Sequence, residues 1–175
     1  MTRDPVVEIL PRDYDAAVPG LTGVLHACVH AGASVNFILP FPVEEARAFW
    51  TGKVAGAMQG GKRRLWVARE GDRILGCVML DWDTPPNQTH RAEVTKMLVH
   101  PEARRRGLAR LLLMRLLQGA RDAGKTLITL DTTTGSAAQG LYAAAGFEVA
   151  GSIPQFSRAP LEDRLEATTY MYRML

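Results

Sequence analysis

Glu93-Val94-Thr95-Lys96-Met97-Leu98-Val99-His100-Pro101, followed after two residues by Arg104-Arg105-Arg106-Gly107-Leu108-Ala109, is the stretch whose reading decides the fold. Its first part, extended back to Arg91, is rich in apolar and β-branched residues and reads as a strand that Pro101 ends. From Gly107 to about Ala123 apolar residues recur at 108, 111, 112, 116 and 120, the spacing of an amphipathic helix, and Gly124 stops it. Leu127 to Thr132 reads as a second strand. Strand, helix and strand in this order make a right-handed βαβ unit, in which ligands bind beyond the carboxyl ends of the strands. That end is where the three arginines lie.

Three cations just before a helix are unfavourable, because the helix N-terminus carries partial positive charge and each cation there costs about 0.3–1 kcal/mol. Orphan backbone N–H groups at residues 104 to 109 point outward, and Gly107 lets a ligand approach the chain closely. A pyrophosphate would offset the repulsion and occupy those donors. A solvated basic loop and a nucleic-acid contact helix are the other readings of the turn by itself. The charge distribution bears on them: the formal net charge is only +3, yet Arg91 to Lys125 holds nine Lys and Arg against three Asp and Glu, leaving the remainder of the chain net negative. The positive charge is local and has no series of stacking aromatics beside it, which favours a small anion over nucleic acid.

Outward from this unit, Val6 to Leu10 reads as a first strand. Asp13 is placed to cap a helix to about His30, and Pro42 to open a second helix through roughly Met58. Leu65–Arg69 and Ile74–Trp82 read as a hairpin around Glu70-Gly71-Asp72-Arg73. After the βαβ unit, Ser136 caps a short helix to Ala145 that Gly146 ends, and Val149–Phe156 and Ala167–Met174 are two last strands. The expected order is β-α-α-β-β-β-α-β-α-β-β, a mixed α/β sheet in one domain spanning 1–175. A chain of 175 residues with 47% hydrophobic composition can bury one sizeable core. It carries no apolar run of membrane-span length, and Met1–Pro5 lacks the apolar stretch of a signal peptide, so a cytoplasmic location is expected, with no membrane partner. Cys28 and Cys77 sit among apolar neighbours and read as buried free thiols. His26 and His30 are four residues apart but lack the glutamate of a zinc-protease helix, and no metal site is expected.

The arginine turn resembles the acetyl-CoA turn of the GNAT superfamily of N-acetyltransferases, Arg/Gln-x-x-Gly-x-Gly/Ala. Ala138-Gln139-Gly140-Leu141-Tyr142-Ala143-Ala144-Ala145-Gly146-Phe147 resembles that family's second signature, Ala-x-x-Leu-Tyr-x-x-x-Gly-Phe. A finer resemblance, to the tabtoxin-resistance acetyltransferase group, rests on His30 to Phe37, on Arg91-Ala92-Glu93-Val94 with Lys96, and on Leu130-Asp131-Thr132 with Gly135-Ser136. Gly151 to Pro154 and Ala167 to Tyr170 belong to the same match. The resemblance implies a mostly antiparallel central sheet with helices on both faces. It also implies acetyl-CoA held by Met97, Leu98, Val99, Arg104, Arg105, Arg106, Gly107, Leu108, Ala109, Ser136 and Tyr142, and pairing of two copies through the terminal strands. Two positions depart from the pattern: Gly135 stands where many members carry asparagine, and Ala109 replaces the commoner glycine.

An aliphatic amine is only about one part in a thousand neutral at pH 7, so it must lose a proton before attacking a thioester. Glu93, on the strand leading to the turn, and Asp131, at the end of the neighbouring strand, are the candidate bases, and the resemblance points to the same two. Glu93 could equally be a structural partner of Arg91 or Lys96, and Asp131 a loop carboxylate bonding Thr132 to Thr134. Backbone N–H groups along Met97 to Val99 are candidates to receive the oxyanion. Tyr142 resembles the family's general acid, the alternative being an ordinary core tyrosine. Neither cysteine occupies a matched site, so direct transfer is expected. His30, Ser34, Asn36, Phe37, Trp82 and Phe156 are the candidate contacts to the acceptor, with Trp82 and Phe37 also readable as core. The acceptor implied is a small-molecule amine, such as an amino-acid-like toxin or antibiotic. A non-catalytic acyl-CoA-binding or sensing module would keep the arginine turn and need no base.

Overall fold

Leu65 and Val67 turn to one face of their strand and Trp66 and Ala68 to the other, and all four are buried. Such a strand needs cover on both sides. The computed structural model describes residues 5–175, and the expectation drawn on Met1–Asp4 lies outside the described residues. The cover comes from helices packed on both faces of a seven-stranded sheet. Its strands are β1 (Val6–Ile9), β2 (Arg63–Glu70), β3 (Arg73–Asp81), β4 (Arg91–Val99), β5 (Leu127–Thr133), β6 (Glu148–Arg158) and β7 (Leu165–Met174), in the spatial order β1-β2-β3-β4-β5-β7-β6. Every neighbouring pair is antiparallel except β4 with β5. The element order and the mixed, mostly antiparallel sheet match the expectation.

On one face lie α1 (Tyr14–His30), α2 (Val43–Phe49) and α3 (Ala55–Gln59), closing a core of Leu21, Leu25, Trp50, Leu65, Met79 and Leu98. On the other lie α4 (Leu108–Asp122) and α5 (Ala137–Ala144), over Trp66, Leu80, Leu112, Leu116, Ile128 and Leu130. Gly119 of α4 sits where an added Cβ would come within 2.4 Å of the Trp66 ring, so the helix can lie this close only without a side chain there. Among the described residues no helix is long and apolar enough to cross a membrane. Cys28 and Cys77 are buried free thiols.

The single helix expected from Pro42 to Met58 is interrupted. Trp50–Val54 forms a π turn between α2 and α3. The buried positions are Ala46, Trp50, Val54 and Met58, a strict interval of four, which drifts around an α-helix of 3.6 residues per turn. One wider turn keeps all four on the sheet side. The Trp50 carbonyl takes two donors at this point, the Ala55 N–H of the wide turn and the Tyr14 hydroxyl at 2.8 Å.

Candidate active site

β4 and β5 pair only at their beginnings. Arg91, Ala92 and Glu93 oppose Leu127, Ile128 and Thr129, and beyond Glu93 the two strands separate. The wedge that opens is floored by a bulge. Cys77 opposes Leu98 and Met79 opposes Thr95, so three steps on β4 match two on β3, and Lys96 carries the strain with φ at 50°. The extra residue reverses the strand's alternation. Ala92 and Val94 belong to the core under α4, whereas Leu98 belongs to the core under α1, and Met97 and Val99 pack toward α4 in its place. Met97 borders the wedge, while Leu98 is buried away from it. The Lys96 side chain is thereby sent into the α1–α2 side, where Nζ donates to Val35 O at 3.2 Å and lies 5.8 Å and 5.2 Å from the ring centroids of Phe37 and Phe49. Burial lowers its ammonium pKa below the usual lysine range.

A cleft of about 470 Å³ occupies the wedge, and Glu93, Asp131 and Tyr142 all line it. Ile128 and Leu130 point to α4, so Thr129 and Asp131 face the opposite side, the one Glu93 faces. Burial pushes the Glu93 carboxyl up from its ordinary range, and the nearby carboxylates of Asp131 and then Asp81 push it further. Asp131 is more exposed and accepts a hydrogen bond from the Thr168 hydroxyl at 3.1 Å. Tyr142 comes from the α4 side through the same opening. Its ring packs 5.8 Å from that of Phe147, and burial, followed by the Asp131 charge, raises its phenol well above the usual value. It therefore stays protonated over the working pH range. The α5 helix that carries it starts at Ser136, whose hydroxyl accepts from the Gln139 N–H at 3.2 Å and lies 3.2 Å from that of Thr132.

The anion turn stands at the open end of the wedge. Arg104, Arg105 and Arg106 are exposed, Gly107 has φ 78°, and α4 starts at Leu108. Leu108 is buried under the helix and anchors the turn, with Ala109 beside it half-buried. The Arg104 N–H bonds Pro101 O at 3.4 Å, and the next N–H with a backbone acceptor among the described residues outside the helix is that of Leu111, to Gly107 O at 3.2 Å. The N–H groups between them belong to the orphan first turn of a helix. Arg106 pairs with Glu70 at 3.0 Å, and burial pushes the Cys28 thiol up against the opposing pull of the Arg104 charge. Arg105 has no ion-pair partner among the described residues and holds φ at 62°. Free donors, an unengaged guanidinium and a turn with nothing within 4 Å of a Cβ at Gly107 fit a pyrophosphate.

The six expected acceptor contacts divide. Ser34, Asn36 and Phe156 line the cleft; His30, Phe37 and Trp82 do not. The His30 Nε2 is engaged with Phe41 O at 2.9 Å, and the Phe37 ring packs tilted against that of Phe41 with centroids 4.6 Å apart, so both fix the α1–α2 loop from behind. Trp82 follows the end of β3, on the far side of Asp81 from the opening, with Lys125 and Arg64 5.2 Å and 5.9 Å from its ring. It faces away from the cleft because alternation along the strand turns Asp81 to the side of Glu93 and leaves Trp82 against the core under α4. Sequence reading missed Glu166 and Thr168 of β7, which also line the wall. Thr168 belongs to the stretch from Ala167 to Tyr170 that carries the finer resemblance, and Glu166 directly precedes it, but neither has a site role in the sequence reading.

The model of the acetyltransferase (GNAT) family matches residues 34–147. Among curated proteins, N-acetyltransferase 8 of Homo sapiens is 36% identical over 88 residues, which are 49% of this chain and 39% of that protein. The chain thus spans about two fifths of the length of the curated relatives it matches. A GCN5-related N-acetyltransferase from Kribbella flavida superposes with a TM-score of 0.74 and 25% identity, over 97% of this chain and 96% of that one. A Salmonella typhimurium protein solved with its cofactor acetyl-CoA superposes with a TM-score of 0.72 and 24% identity, over 97% and 92%, a likeness of fold. With a family match over more than half of its length, the chain belongs to the acetyltransferase (GNAT) family.

Proposed function

We propose that this chain, an acetyltransferase by family with acetyl-CoA as donor, transfers the acetyl group directly to the primary amine of a small amino-acid-like molecule. A toxin or antibiotic of that kind would fit, with the reaction running in the cytoplasm. The observation that carries the reading is the convergence of Glu93, Asp131 and Tyr142 on one cleft where β4 and β5 part. Acetyl-CoA supplies a thioester, a carbonyl open to attack by an amine. The turn from Arg104 to Ala109, with Ser136 at the next helix start, holds its phosphates, and the edge of β4 from Met97 to Val99 offers backbone groups to the rest of the donor.

The chain's residues then manage two protons. Glu93 takes one from the acceptor ammonium, directly or through water, and its raised pKa makes it a stronger base than an exposed carboxylate. Asp131, tied to Thr168, faces the same acceptor and holds its ammonium by charge. Tyr142, kept protonated by burial, gives a proton to the departing thiolate and is restored by the second proton that the attacking nitrogen loses. The acceptor itself rests among Ser34, Asn36 and Phe156, and the long exposed edge strand β6 gives two copies a surface through which to pair.

The test is a panel of amines, including β-lactam and other toxin-like amino acids, scored for thiol release from acetyl-CoA. Turnover confined to small amino-acid-like amines is expected. Binding of acetyl-CoA with no turnover across the panel would instead mark a sensing module.

A further inference from the structure

The cross-strand register sets a polar row at the level where β4 and β5 stop pairing. Arg63 of β2 opposes Asp81 of β3, and Asp81 opposes Glu93 of β4. Directly opposed residues of an antiparallel pair put their side chains on the same face, with Cβ atoms about 5 Å apart. Two carboxylates so placed repel each other, and a sheet that retains the pair must hold one of them in place.

Asp81 is the one held. Its Oδ2 accepts from Arg63 Nε at 2.8 Å and also from Arg63 Nη2, and its Oδ1 accepts from the Asp83 N–H at 2.9 Å. The ion pair is partly buried, with side-chain exposures of 17% and 19%. Glu93 has no hydrogen-bond partner of this kind among the described residues, and it borders the cleft. Asp81 does not line the cleft, so it can act on an acceptor only through Glu93.

We propose that Asp81 is a positioning residue for the base: Arg63 and the Asp83 N–H fix its carboxylate behind Glu93, and that fixed negative charge turns Glu93 toward the cleft and strengthens its hold on the acceptor's proton. The proposal rests on the reading of Glu93 as the base. The charged groups facing Glu93 are Asp131 from β5, Asp81 from β3, and Arg91 and Lys96 on β4 itself, and the two aspartates act in the same direction. Asp131 stands on the acceptor side of the wedge and is exposed, so a bound ammonium screens it. Asp81 lies beside Glu93 on the β3 side, outside the cleft, and its influence persists when the cleft is filled.

The decisive measurement is a carboxyl carbon NMR titration of Glu93 in the full chain, paired with the pH profile of kcat/KM. Asp81→Asn removes the opposed charge while keeping the side-chain size. The Glu93 midpoint and the acid limb of the profile are both expected to move down by about 0.5 pH unit, the scale of a directly opposed like-charge pair. Arg63→Gln leaves the Asp81 charge unopposed and is expected to move both upward. A Glu93 midpoint that stays in place in the folded variants overturns the proposal. Glu93→Gln separates the two readings. An acid limb that survives in that variant refutes Glu93 as base, while the carboxyl titration still decides whether Asp81 acts on Glu93.

Discussion

Lys96 Nζ donates to Val35 O at 3.2 Å, joining the bulge in β4 to the α1–α2 loop that forms one wall of the cleft. The bond exists because the bulge reverses the strand's alternation and sends Lys96 under that loop. Lys96→Met keeps the length of the side chain and its contact with Phe37 and Phe49 but removes the charge-assisted bond, worth about 1.5 kcal/mol or more. The loop then holds Ser34 and Asn36 less firmly. The KM for the acceptor is expected to rise about tenfold, with the KM for acetyl-CoA unchanged. Steady-state kinetics with each substrate varied checks this, and an equal rise in both constants contradicts it.

Glu93 is expected to cost the fold stability at neutral pH. Its pKa is raised in the folded state, so the folded chain favours the protonated form. The sign follows from linkage: the contribution is fully present below the unfolded value of about pH 4.3 and is lost as pH rises through the folded value. Glu93→Gln has no charge to bury at any pH. The variant should therefore melt higher than the wild type at pH 7, and the difference should vanish below about pH 4. Thermal melts across that range test it, and a variant less stable at pH 7 contradicts it.

Much of this was legible in the sequence, and the misses have physical causes. The βαβ unit was readable because Leu108, Leu112, Leu116 and Ala120 face one core and Gly107 and Gly124 bracket the helix. Tyr142, which lines the cleft, is singled out in the sequence only by the resemblance of Ala138 to Phe147 to the family's second signature. The bulge at Lys96 was not, since it leaves no mark in composition: it follows from how β4 must register against β3 and still part from β5. Trp82 reads from the sequence either as an acceptor contact or as core, and the alternation that places Asp81 beside Glu93 puts Trp82 with the core under α4. The π turn at Trp50–Val54 lies inside what reads as one helix from Pro42 to Met58, because only burial marks the four-residue interval of Ala46, Trp50, Val54 and Met58.

Arg105 combines a left-handed backbone, a conformation that costs a non-glycine residue about 1 kcal/mol, with a guanidinium that no acidic residue among the described ones engages. The two effects can be separated by Arg105→Gly. The fold should gain about 0.5 kcal/mol or slightly more as strain is relieved, offset in part by the added freedom of the unfolded chain. Acetyl-CoA should bind about five- to tenfold more weakly at low salt, and the loss should shrink as ionic strength rises. Calorimetric titration at two salt concentrations checks the second effect. Glu70→Gln, which frees Arg106 from its 3.0 Å ion pair, should move affinity the other way.

Tyr142→Phe tests the proposed proton transfer to the thiolate. The ring keeps its packing against Phe147, and among the described residues no protein group bonds the hydroxyl, so the melting temperature should change little. Loss of a positioned general acid typically costs about 10²–10⁴ in rate, and that loss should fall on kcat with the acetyl-CoA Kd unaltered. The wild-type profile should show no Tyr142 limb up to about pH 10, because burial and the Asp131 charge both hold the phenol protonated. The alkaline end carries a matching stability effect. Tyr14 and Tyr142 are both raised, so their contribution is complete below the unfolded value of about pH 10 and declines above it. A Tyr142→Phe variant that turns over at the wild-type rate would remove the phenol from the mechanism and leave it as a core residue.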